Sequence, residues 1–187
     1  MNHNDHVNLL RPENLNQGGV YADFGAGSGA FTLALRELIG LDATIYAVDK
    51  DNKSLRELEN SHRARFDSIR NLIPLNQDFT RLVDISTGST QRLPPLDGIV
   101  MANSLHYYKD KEKILRHARE FLKPDGALLL VEYNVDSGNP WVPHPLSFET
   151  FRVLASRVGF IQPRLLGKAP SRFLKEFYSA VAYREQK

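Results

Sequence analysis

Short apolar runs rich in branched and aromatic residues alternate with segments of helical period along this chain. That alternation restricts it to crossover units feeding a parallel sheet. VYADF at 20–24 reads as a first strand, and the helix after it carries Phe31, Ala34, Leu35 and Leu38 on one face and stops at Gly40. TIYAVD at 44–49 is a second strand, followed by Leu55, Leu58, His62, Phe66 and Ile69 at steps of three and four. LIPLNQD at 72–78 is a short third strand despite its proline, and an irregular polar stretch then runs to about Pro95. LDGIVMAN at 96–103 and ALLLVEY at 127–133 are the fourth and fifth strands, joined by a helix marked by Ile114, Leu115, Ala118 and Phe121 and by a KPDG turn. A loop over 134–147 leads to a helix with Phe151, Leu154, Ala155 and Val158, capped by Ser147 and ended by Gly159. PRLLGK at 163–168 and FYSAVAYR at 177–184 follow with no helix-length segment between them, so they should pair antiparallel.

A length of 187 residues leaves room for one domain, and 42% hydrophobic against 25% charged residues describes a globular core. The polar start shows no secretory signal and no apolar run is long enough to span a bilayer, so a cytoplasmic protein without membrane partners is expected. The absence of cysteine excludes disulfides, thiolate zinc sites, iron–sulfur clusters and cysteine nucleophiles. No two of the six histidines stand at i, i+4, so no metal is expected, and HNDH at 3–6 reads as a mobile terminus.

The residues YADFGAGSGAFT at 21–32 admit two readings. As G-x-G-x-x-G/A, Gly25, Gly27 and Ala30 form a dinucleotide fingerprint that sets a pyrophosphate on a helix N-terminus. As D-x-G-x-G-x-G, Asp23, Gly25, Gly27 and Gly29 all count, and the ligand is a different one. In an open parallel sheet ligands bind beyond the carboxyl ends of the strands where the strand order reverses. Here those ends carry residues 23–29, Asp49, Asp78 and Asn103.

DFGAGSG, the acid closing YAVD, QDFT, LDGIVMANSLHY and LKPDGALLLVEY, in this order, resemble the class I S-adenosylmethionine-dependent methyltransferases over about residues 18–185. They look most like the small-molecule branch that includes the quinone-biosynthesis methyltransferases. The resemblance implies an α/β fold: a Rossmann-like seven-stranded, mostly parallel sheet with a C-terminal antiparallel strand and helices on both faces, in one domain over 1–187. It also implies S-adenosylmethionine as cofactor, which offers an ammonium, a carboxylate, a sulfonium, a ribose diol and an adenine, and no phosphate. Asp23 then suits the ammonium, while Gly25, Gly27 and Gly29 let the methionine portion approach the backbone. Asp49 takes the ribose hydroxyls with Lys50 beside it. Asp78 takes the adenine amino group, and the backbone N–H of Phe79 meets a ring nitrogen. Asn103 completes the cofactor set at the end of the fourth strand. A dinucleotide enzyme also uses an acid where Asp49 stands; Asp23 and Asp78 are the discriminating residues.

Methyl transfer is an in-line displacement, so the protein must align a nucleophile and, where needed, remove its proton. Candidate bases over the crevice are His106 and Tyr107 after strand four, Glu132 and Tyr133 ending strand five, and His144 in the loop beyond, with His106, Tyr107 and His144 taken as the catalytic set. His106 is in register with an LHH-like segment of related methyltransferases. Glu132 is read as support for a strand end and not as an acid–base group. NVDSGNPWVPHPLS at 134–147 is read as a lid whose Trp141 covers the substrate. Residues 152–187 hold eight basic and two acidic side chains, and Arg172, between the last two strands, is a candidate contact for an anionic group on a small-molecule substrate. The strand-four end reads MANSLHY and not an NPPY-type motif, which argues against nucleic acid. The alternatives are an RNA or protein methyltransferase using the basic end, and a nonenzymatic S-adenosylmethionine-binding protein. The sequence leaves the oligomeric state open.

Overall fold

A computed structural model describes residues 1–13, 15–84, 92–171 and 173–186. In chain order the elements are α1 (His3–Leu9), β1 (Val20–Phe24), α2 (Ala30–Ile39), β2 (Thr44–Asp49), α3 (Asn52–Phe66), β3 (Leu72–Asn76), β4 (Val83–Asp84) and β5 (Arg92–Leu93). They continue with β6 (Leu96–Ala102), α4 (Lys111–Phe121), β7 (Leu122–Tyr133), α5 (Phe148–Arg157), β8 (Phe160–Pro170) and β9 (Glu176–Arg184). Single 3-10 turns stand at Phe79–Arg81 and Leu105–Tyr107.

Seven strands form one sheet in the order β3-β2-β1-β6-β7-β9-β8, while β4 and β5 pair with each other. The first five of these neighbours are parallel; β9 runs antiparallel to both β7 and β8. Strand alternation divides the apolar residues between two cores. Ile99, Met101, Leu128 and Leu130 pack with α4 and α5, and Val100, Leu129 and Val131 pack with α1, α2 and α3.

Several boundaries differ from the sequence reading, each for a physical reason. The terminus read as mobile is helix α1: Asn2 and Asp5 form a capping box, and Val7, Leu9 and Leu10 are buried. Pro74 is tolerated because β3 is an edge strand. Ile69 lies past the end of α3, where Asp67 adopts φ +51°. The KPDG segment bulges within β7, since Leu96 pairs with Leu122 and Gly98 with Ala127. His62, on the apolar stripe of α3, meets the buried guanidinium of Arg36, whose Nε donates to it at 3.1 Å. The same guanidinium also donates to the carbonyls of Gly40, Ala43 and Asn71, tying α2 to the strands beside it.

Candidate functional site

The strand order reverses between β1 and β6, and the carboxyl ends of β1, β2, β3 and β6 open onto a crevice there. It has two lobes. One, of about 380 Å³, is lined by Asp49, Lys50, Gln77, Asp78 and Phe79 together with Ser104, Tyr107 and Tyr108. The other, of about 290 Å³, is walled by the glycine turn, Asp23, Phe31 and His6. Gly25 and Asn103 line both.

All three glycines of the turn hold positive φ, and at two of them the packing also excludes a side chain. At Gly25 (φ +85°) an added Cβ would stand 2.5 Å from Ser104 Cβ, and at Gly29 (φ +93°) 2.5 Å from Leu58 Cγ. At Gly27 (φ +52°) a Cβ would meet no protein atom within 4 Å, so nothing in the packing demands glycine there.

Asp23 is 1% exposed; its Oδ2 accepts from Thr32 Oγ1 at 2.6 Å, and its Oδ1 has no partner among the described residues. Burial pushes this carboxyl up to about 7, against the hydrogen bond from Thr32 and with a smaller push from Asp49. A buried oxygen of this kind is costly until a donor meets it. Asp49 accepts from Gly27 N through Oδ2 and from Asp51 N through Oδ1, both at 2.8 Å. These bonds fix the carboxylate plane and leave each oxygen a further lone pair.

Asp78 caps its 3-10 turn, with Oδ1 accepting from Thr80 N at 2.9 Å and Thr80 Oγ1 at 2.7 Å. The ring of Phe79 is buried, stacked on Phe24 with centroids 5.4 Å apart and edge-on to Tyr108. Lys50 is exposed at the rim. Asn103 holds φ +53°, donates its N–H to the Val131 carbonyl, and buries an Oδ1 without a partner among the described residues. A non-glycine residue in this conformation costs energy that the surrounding structure must supply.

The turn after β6 carries His106 and Tyr107 and meets the backbone of His144. Tyr107 is 63% exposed and lines the wide lobe; its ring packs on that of His106 at 4.2 Å. His106 is buried and stands one side chain behind the crevice wall. The His144 backbone N–H donates to the His106 carbonyl at 3.0 Å, docking the 134–147 loop onto this turn. Within that loop Val142 is buried with Tyr133 and Phe177, whereas Trp141 projects, 71% exposed. Arg172 lies outside the described residues.

The sequence reading passed over Ser104, Tyr108, Gln77 and His6 as lining residues and undervalued Glu132. The signal for Glu132 was a single acid inside the otherwise apolar ALLLVEY, a strand buried on both faces. The basic C-terminal residues are dispersed among partners: Arg152 pairs with Glu149, Arg157 with Glu112, Arg164 with Glu13 and Lys168 with Glu176, while Arg184 donates to the Leu122 carbonyl. Among the described residues no group of three or more side chains is placed to hold a metal, and no helix is long and apolar enough to cross a membrane.

A family model described as a methyltransferase domain matches residues 4–177. No curated protein sequence matches the chain. Among solved structures, the YcgJ protein from Bacillus subtilis superposes with a TM-score of 0.75 at 14% identity, covering 100% of each chain. Magnesium protoporphyrin IX methyltransferase from Synechocystis, crystallised with S-adenosylhomocysteine (SAH), gives 0.70 at 16% identity, covering 90% of this chain and 75% of that one. A phosphoethanolamine N-methyltransferase from Haemonchus contortus, in complex with phosphomonomethylethanolamine and S-adenosylhomocysteine, gives 0.74 at 16% identity, covering 98% of this chain and 53% of that one.

Proposed function

The chain belongs to the methyltransferase-domain family, and from this premise we propose that it uses S-adenosylmethionine as methyl donor and methylates a small-molecule nucleophile by in-line displacement. The observation that carries this reading is the two-lobed crevice, each lobe a few hundred Å³, with the orphaned Asp23 Oδ1 in the wall of one. The residues present fit the cofactor. Asp23 Oδ1 suits its ammonium, the open backbone at Gly27 its methionine portion, Asp49 its ribose, and Asp78 with the Phe79 N–H its adenine. Asn103, which lines both lobes, completes the cofactor set.

When bound, S-adenosylmethionine supplies an electrophilic methyl carbon on a sulfonium and departs as a neutral thioether that keeps the bond's electron pair. What the chain adds is alignment and a proton acceptor. We assign the acceptor role to His106, with Tyr107 as the cover an incoming substrate displaces and His144 as the tether of the loop beside it. Trp141 closes over the substrate from that loop. Arg172 is a candidate contact for an anionic group on the acceptor. The pairing of Arg152, Arg157, Arg164 and Lys168 with acids favours a small acceptor over a nucleic acid, which needs an open run of positive charge.

Incubating the protein with small-molecule extracts and methyl-labelled S-adenosylmethionine, followed by mass spectrometry, tests this reading. A labelled small molecule supports it. Label found only in RNA or protein fractions, or in none while calorimetry shows tight cofactor binding, overturns it.

A further inference from the structure

Glu132 is 0% exposed at the end of β7, yet it is not left without partners. Its Oε1 accepts from the backbone N–H groups of Leu105 and His106, each at 3.0 Å, and its Oε2 from Tyr133 N at 3.3 Å. Both oxygens also face His106 Nδ1, at 3.1 and 3.0 Å. Backbone N–H groups can only donate, and an ionised carboxylate can only accept. Three backbone N–H groups already donate to this carboxylate, and ionised it can meet Nδ1 only if Nδ1 carries the proton. The imidazole's remaining nitrogen, Nε2, has no hydrogen-bond partner among the described residues.

We propose that Glu132 is a positioning residue that fixes neutral His106 as its Nδ1–H tautomer, so that Nε2 presents the lone pair that takes the acceptor's proton. The assignment rests on the role given to His106 above. As the acceptor's lone pair takes the methyl carbon, its proton passes to Nε2, and the resulting imidazolium is held against the Glu132 carboxylate. A second effect follows from the same bonds. By accepting from Leu105 N and His106 N, Glu132 holds the 3-10 turn at Leu105–Tyr107, which sets Tyr107 at the crevice. The other titratable groups packed around this pair are Tyr107 on the same turn, Tyr133 on β7, Tyr178 on β9, Lys111 on α4 and His144 on the docked loop. Of these, Lys111 donates to the Tyr108 carbonyl, so its charge serves the far end of the same turn.

Imidazole nitrogen correlation spectra of the ¹⁵N-labelled full chain test the proposal, with the His106 signals assigned by their loss in His106→Asn. The expected spectrum shows a protonated Nδ1 and an unprotonated Nε2 in the neutral form. Glu132→Gln keeps an oxygen for the backbone donors but offers an NH₂ to Nδ1, so the tautomer should switch to Nε2–H. In the labelling assay that variant should lose roughly 10²-fold in methyl transfer, with cofactor affinity by calorimetry unchanged within about twofold. Glu132→Asp, which keeps the carboxylate, should recover part of the loss. A wild-type His106 in the Nε2–H form overturns the proposal, as does a Glu132→Gln variant whose tautomer or transfer rate is unaltered. Backbone amide spectra report whether each variant is folded. If the tautomer behaves as expected in both proteins and no small molecule is ever labelled, the tautomer assignment stands and the small-acceptor reading is what fails.

Discussion

A carboxyl buried as Asp23 is, with one oxygen unpartnered, favours its protonated form, so the folded chain keeps a proton there that the unfolded chain releases near pH 4. Its folded value is raised to about 7, so this group's contribution to stability is lost as pH rises through the window from about 4 to 7, by up to about 4 kcal/mol. His6 and His62 are shifted the other way, lowered by burial, so their contribution improves as pH rises towards 6.5. Comparing denaturant unfolding of wild type with Asp23→Asn isolates the carboxyl: the variant should gain relative stability between pH 5 and pH 8 while binding S-adenosylmethionine at least tenfold more weakly, roughly the loss of one charge-assisted contact. Asp49→Ala should weaken the cofactor by about 2 to 3 kcal/mol in calorimetry, the scale of hydrogen bonds to a charged group. The acids at strand ends were legible because a motif and a strand boundary locate them together. The Glu132–His106 pair was not, because it joins a strand end to a turn 26 positions away and leaves no local pattern. Only the oddity of a lone acid in a buried strand pointed towards it.

Elements were legible where periodicity had length to show itself. Strands β1 and β2 and helix α2 begin and end where their apolar patterns do, whereas α1, at 7 residues, is too short for a helical period and is defined by its cap. Strand β8 extends beyond PRLLGK at both ends because its pairing with β9 imposes strand geometry on residues that alternate poorly. The turn between β1 and α2 yields a contrast between two glycines. Gly25→Ala forces its Cβ onto Ser104 and should lower the melting temperature markedly, whereas Gly27→Ala meets no protein atom and should cost only about 1 kcal/mol for its left-handed backbone. Gly27→Ala should nonetheless abolish cofactor binding if the methionine portion lies against that backbone. Calorimetry and thermal unfolding, run on both variants, separate the two effects. The 134–147 loop is tied down at several points, by Asp136 to Ser147 and by Asn139 to the Trp141 and Val142 amides, so closure should pivot the exposed tip and not the whole loop. Trp141 is the only tryptophan, and its emission should shift or quench when S-adenosylhomocysteine and an acceptor are both present; a fixed spectrum at saturation would remove the lid role.

At the scale of the molecule, the parallel part of the sheet and its two cores follow from the alternation of strands and helices, which is why the fold class was readable throughout. The fate of the basic end was not readable, because ion pairs such as Arg164 with Glu13 and Arg157 with Glu112 join residues far apart in sequence. With those charges paired, gel mobility of short RNA or DNA should not change at about 150 mM salt with the protein at micromolar concentration, and a strong salt-sensitive shift would reopen the nucleic-acid alternative. The position of β9 governs how the chain reaches its native state. β9 is the last strand in chain order but lies between β7 and β8, so the outer part of the sheet cannot close until residues 176–184 are available. During synthesis β7 must wait with an unpaired edge, and β8 with nothing to join, while the ribosome still shelters the segment that links them. That delay is the interval in which a nascent chain of this design is open to mispairing with its neighbours and to capture by chaperones.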